Sequence, residues 1–65
     1  MKVERMLEIG RGAIECHLGD VMDEGADTLY DEAFVLAHDA LVDSGVDNRT
    51  ASKIASQLAQ EIAQP

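Results

Sequence analysis

Apolar side chains recur at helical spacing along three segments of this chain, separated by one acidic, glycine-containing linker and one short turn. That pattern restricts the chain to packed helices. In the first segment, about residues 3–22, Val3, Met6, Leu7, Gly10, Ala13, Ile14, His17, Leu18 and Val21 fall on one side. Glu4, Glu8, Arg11 and Glu15 fall opposite. Gly10 and Gly12 each cost about 1 kcal/mol relative to Ala in a helix interior, so the segment bends or breaks there unless packing compensates. Gly10 lies on the apolar stripe, where a missing side chain lets another helix come close. The second segment, about 28–44, opens on Thr28 as a cap, with Asp31 and Glu32 near the positive helix end. Leu29, Tyr30, Ala33, Leu36, Ala37, Ala40 and Leu41 form its inner face, with Phe34 at the margin. Gly45 suits the left-handed C-terminal cap and Val46 the apolar contact that goes with it. Asp47 then caps the third segment, about 48–63, with Val46 and Ala51 placed as a hydrophobic staple. Ala51, Ile54, Ala55, Leu58 and Ile62 face inward there. The expected fold is all-α: a compact three-helix bundle forming one acidic domain over residues 1–65, as a monomer or homodimer.

A domain of 65 residues buries only about 60% of the surface its unfolded chain exposes, so association with a partner is expected. Hydrophobic residues make up 46% of the chain, too many for a disordered acidic tail. Tyr30 and Phe34 are the only aromatic residues, which excludes a base-stacking platform. Cys16 has no second cysteine to pair with and is expected as a small, half-buried structural residue. No apolar run reaches the length of a bilayer crossing or a secretory signal, so the expected compartment is the cytoplasm, with no membrane partner.

Between Arg11 and Arg49 there is no Lys or Arg, yet ten carboxylates: Glu15, Asp20, Asp23, Glu24, Asp27, Asp31, Glu32, Asp39, Asp43 and Asp47. The remainder holds five basic residues and three acidic ones, so the net charge of −8 divides into −10 in the middle and +2 at the ends. Segregated charge of one sign destabilises the compact state through self-repulsion, and its use lies in attracting a basic partner or repelling phosphate. Val35 and Val42 sit seven apart on the same side of the second segment as Glu32, Asp39 and Asp43. They read either as isolated exposed valines or as an apolar strip with a charged rim.

Residues 45–54, Gly-Val-Asp-Asn-Arg-Thr-Ala-Ser-Lys-Ile, resemble the turn and recognition helix of helix-turn-helix repressors. On that resemblance Asn48, Arg49, Ser52 and Lys53 would face the major groove. Leu41 departs from the pattern, since the family usually has Ala there. Two basic residues on that helix face ten carboxylates upstream, so direct binding to nucleic acid is disfavoured. Asp20, Glu24, Gly25 and Asp31 loosely follow a calcium loop, but Met22 stands where an oxygen ligand is needed and Asp27 where an apolar residue is usual. A solvated acidic turn is the expected reading. Cys16 and His17 are adjacent and point about 100° apart on a helix, so no metal site is expected and His17 reads as a core or interface residue. No serine has an organised base and no phosphate loop is present, so neither an enzyme nor a cofactor is expected.

In size, acidity, helical content and lack of catalytic residues the chain resembles small phage and mobile-element anti-CRISPR proteins, several of which act as DNA mimics on type I surveillance complexes. The resemblance implies a basic, DNA-binding subunit of the effector complex as partner, in the cytoplasm of the host bacterium. The expected contact set is Asp20, Asp23, Glu24, Asp27, Asp31, Glu32, Asp39 and Asp43 with Val35 and Val42. Two alternatives stand beside it: a small helix-turn-helix transcription regulator using Asn48, Arg49, Ser52 and Lys53, and a helical adaptor or antitoxin-like protein pairing with a partner helix.

Overall fold

The first helix takes its course from residues four apart. Met6, Gly10 and Ile14 are buried along one line of α1 (Val3–Cys16), and the opposite side is exposed and charged. The computed structural model describes residues 2–17 and 26–63. Within them α1 is followed by α2 (Ala26–Asp43) and α3 (Asn48–Ala63), with no strand among the described residues. Over the described residues the chain is all-α, with the three helices packed as a bundle. Its radius of gyration of 10.8 Å matches the value of about 11 Å for a compact chain of this length.

α2 lies against both other helices, more extensively against α3 than against α1. Small residues bring the axes together: Ala33 and Ala37 on α2 and Ala51, Ala55 and Ala59 on α3 are fully buried. Ile14, Leu41 and Leu58 fill the space between them. α1 runs unbroken through both of its glycines. At Gly10 the reason is close approach, since a Cβ there would stand 2.5 Å from Leu58 Cδ1 and 3.4 Å from Ala37 Cβ. Side chains from α2 and α3 meet the backbone of α1 at that point. Gly12 is exposed, and a Cβ there would meet nothing within 4 Å.

The turn between α2 and α3 follows from its residues. Gly45 takes a φ of +99°; its N–H donates to Val42 O at 3.0 Å, and the Val46 N–H donates to Leu41 O at 3.0 Å. This pair of bonds closes the C-terminus of α2 in a Schellman arrangement, with Val46 folded into the core. Asp47 accepts from the Thr50 N–H at 3.1 Å and caps α3.

Two boundaries differ from the sequence expectation. α1 stops at Cys16, not at residue 22: the His17 N–H donates to Ile14 O at 3.0 Å and the backbone leaves helical geometry. Cys and His rank low as helix formers and Gly19 follows, so the apolar period continued by Leu18 and Val21 overstates the helix. α2 begins at Ala26, which places Thr28 inside the first turn and not at the cap. Cys16 and His17 are both exposed, so the cysteine is not half-buried as expected and, of the two places expected for the histidine, the core is ruled out.

Candidate interaction surface

The outer face of α2 is defined by what the inner face needs. With Ala33, Ala37 and Leu41 turned into the core, Asp31, Glu32, Val35, Asp39, Val42 and Asp43 are left exposed. Successive residues turn by about 100°, so Val42 lies about 20° from the line of Val35. On the same measure Asp31 falls about 40° to one side, and Asp39, Glu32 and Asp43 about 40–80° to the other. Val35 and Val42 are 50% and 39% exposed, enough to form the middle of the strip. Carboxylates stand on both of its edges. From Asp31 to Asp43 the strip runs about 18 Å along the helix.

The rotation of α2 that presents this face is held by groups at its side. The Tyr30 hydroxyl hydrogen-bonds Ser56 Oγ on α3 at 2.8 Å. Tyr30 stacks on Phe34 with centroids 6.3 Å apart, and Phe34 on His38 at 5.8 Å. This row at positions i, i+4 and i+8 runs beside the acidic strip, and His38 Nδ1 ends 3.7 Å from Asp39 Oδ1. Sequence reasoning placed Tyr30 on the inner face and did not join it to Phe34 and His38; the spacing of four was the available signal.

No Lys or Arg occurs on α2. The five basic residues lie at the start of the chain, on α1 and on α3, where charges of both signs are interleaved. Arg5 pairs with Glu8 at 3.2 Å, and Arg11 on α1 reaches Glu61 on α3 at 3.3 Å. The segregation seen in the sequence therefore persists in three dimensions for Asp31, Glu32, Asp39 and Asp43. Asp20, Asp23 and Glu24 lie outside the described residues, as does the calcium-like loop they belong to. Asp27 falls in the first turn of α2, and its side chain is likewise outside what is described. Asp47 serves the fold: hydrogen bonds from the Thr50 side chain and then the Thr50 backbone hold its carboxyl below the ordinary range.

Asn48, Arg49 and Lys53 are exposed on the first two turns of α3, with Ser52 partly so. The structure brings this second candidate set together on one side. Leu41, the departure from the helix-turn-helix pattern, is fully buried, and its Cδ1 lies 3.8 Å from the position of a Cβ on Gly10. It fills space toward α1 that an Ala would leave open.

A small open cavity of about 220 Å³ lies between α1 and α3, lined by Arg11, Ile14, Glu15, Leu58, Glu61 and Ile62. Its interior is aliphatic, with the Arg11–Glu61 pair at its edge. Among the described residues no polar side chain is buried and no cluster of three metal-ligating groups occurs. No described helix is long and apolar enough to cross a membrane. Comparison with family models, with curated proteins and with solved structures finds no match for this chain.

Proposed function

We propose that this protein is a non-catalytic binding module whose acidic α2 face occupies a basic, nucleic-acid-binding site on a partner protein and blocks it by DNA mimicry. The partner class is the DNA-binding subunit of a type I CRISPR surveillance complex, met in the cytoplasm of a host bacterium. One observation carries the reading: Asp31, Glu32, Asp39 and Asp43 are exposed on a single helix that contains no Lys or Arg. Carboxylates on a rigid helix stand in for phosphate oxygens, accepting charge-assisted hydrogen bonds from Lys and Arg. The uncompensated field steers the encounter and makes its rate fall with salt.

The test is competition. Labelled duplex is bound to a reconstituted type I surveillance complex and displaced by the native protein or by the variant Asp31→Lys, Asp39→Lys, Asp43→Lys. The native protein is expected to displace duplex with an apparent affinity that weakens with salt, and the variant to lose at least about tenfold of it, since each reversed charge turns an attraction into a repulsion. Equal displacement by the two proteins overturns the proposal.

Arg49 and Lys53 favour a second reading, because both are exposed and neither forms an ion pair among the described residues. With Asn48 and Ser52 they would form the reading face of a helix-turn-helix regulator. Two cations release few counterions, so the logarithmic salt slope would be only about −2. Duplex binding by the protein alone, lost on Arg49→Ala with Lys53→Ala, would establish this reading and exclude the first.

A further inference from the structure

The chemistry of the strip contains more than charge. Its centre line is Val35 and Val42, half-exposed and seven residues apart, and the carboxylates lie to either side of that line and not on it. A duplex carries one charge per about 1.7 Å of axis, or about ten over the 18 Å of the strip. The strip offers four carboxylates over that length, and two valines that copy no phosphate. Mimicry of phosphate accounts for the carboxylates and leaves the two valines to be explained. Two exposed valines seven residues apart, flanked by like charge, are the complement of a helix with its own apolar line and basic flanks.

Resting on the reading above, we infer that the partner's basic site is an amphipathic α-helix seated lengthwise on α2, its apolar line against Val35 and Val42 and its Lys or Arg residues on both sides against Asp31 and against Glu32, Asp39 and Asp43. The apolar contact sets how the partner is rotated about its own axis, since turning its apolar line away would leave both valines against basic side chains. The carboxylates set partner choice, because a helix with acidic flanks is repelled on both edges. The aromatic row of Tyr30, Phe34 and His38 and the Tyr30–Ser56 hydrogen bond hold the face in place before the partner arrives, which limits the ordering needed on binding.

The inference is tested with two labelled Ala/Lys/Leu peptides of equal length, composition and charge. One places Leu every seventh residue with Lys on both flanks; the other permutes Leu and Lys so that no apolar line forms. Binding of each to the full chain is measured by fluorescence anisotropy, with the midpoint of thermal unfolding recorded for every variant. The in-register peptide is expected to bind about tenfold tighter than the permuted one, the scale set by burying two half-exposed valines. Val35→Thr with Val42→Thr should remove that difference while leaving the permuted peptide's affinity unchanged. Asp31→Asn, Asp39→Asn, Asp43→Asn should weaken both. Equal binding by the two peptides, unaffected by the valine changes, overturns the helical partner and leaves the acidic reading intact. Failure of both peptides to bind overturns the helical partner, while displacement of duplex decides the acidic reading separately.

Discussion

Gly10 and Gly12 lie two residues apart in the same helix, and substitution by Ala should move stability in opposite directions. Gly12 is exposed, offers open space for 4 Å around an added Cβ, and sits at an ordinary helical position. Replacing it should therefore gain the propensity difference of about 1 kcal/mol, which raises the thermal midpoint of a domain this small by about 4–8 °C. Gly10→Ala gains the same propensity but drives a methyl group to 2.5 Å from Leu58 Cδ1 and 3.4 Å from Ala37 Cβ. Leu58 is 1% exposed and Ala37 fully buried; Leu58 borders the open cavity between α1 and α3, so the methyl group is admitted only if Leu58 leaves its rotamer toward that cavity or the helices separate. Overpacking of this kind costs about 1–3 kcal/mol, which exceeds the propensity gain across most of its range. The net expectation is a loss of about 1 kcal/mol, measured by thermal and urea unfolding followed by circular dichroism. A Gly10→Ala protein stabilised as much as Gly12→Ala would refute the close meeting of α1 with α2 and α3.

Tyr30→Phe removes the hydroxyl that pairs with Ser56 and should cost about 1 kcal/mol, with a double-mutant cycle against Ser56→Ala giving a coupling energy of the same sign. Gly45→Ala places a Cβ at a φ of +99° and should destabilise by about 1–2 kcal/mol, read as a lower urea midpoint without a change in slope. Asp47→Ala should lower the thermal midpoint, and Asp47→Asn should retain most of it, because an amide oxygen still accepts the Thr50 N–H. The carboxyl of Asp47 is held below its ordinary value of 3.8 in the folded chain, so its stabilising effect is complete above that value and is lost as pH falls below it. The native protein should thus lose more stability than Asp47→Asn between about pH 5 and pH 2, as followed by urea midpoints at each pH.

What could be read in the sequence was local. Gly45, Val46 and Asp47 lie within one turn of the groups they bond, so the cap of α2, the start of α3 and its extent over 48–63 followed from a few neighbouring residues. Gly10 was legible because its position on the stripe of Met6 and Ile14 implied a close neighbour. The end of α1 was not, since Leu18 and Val21 extend the apolar period past the point where Cys16 and His17 let the helix stop. The shared outward side of Glu32, Asp39 and Asp43 was legible too, from spacings of seven and four opposite the apolar face. That Asp31 is exposed beside them depends on how α2 is rotated against α3, to which Tyr30 reaching Ser56, 26 residues away, contributes.

Asp43 offers a test of whether the acidic face of α2 is placed for a partner or only for solvation. It is the last residue of α2, at the negative end of the helix dipole, and no basic residue occupies that turn. A carboxylate there is unfavourable by about 0.3–1 kcal/mol, and its like-charged neighbour Asp39, four residues earlier, adds about 0.2–0.5 kcal/mol. Solubility could be served by placing the same charge at the first turn, where it would stabilise. Asp43→Lys reverses both effects and leaves the core untouched, so it should raise stability by about 1 kcal/mol, or about 4–8 °C in the thermal midpoint. The same change should weaken displacement of duplex from the surveillance complex, because one edge of the strip changes sign. Stability and binding moving in opposite directions under one exposed substitution is the signature of a group placed for a partner. If Asp43→Lys raises the midpoint and leaves competition unchanged, Asp43 lies outside the contact and the strip ends at Asp39.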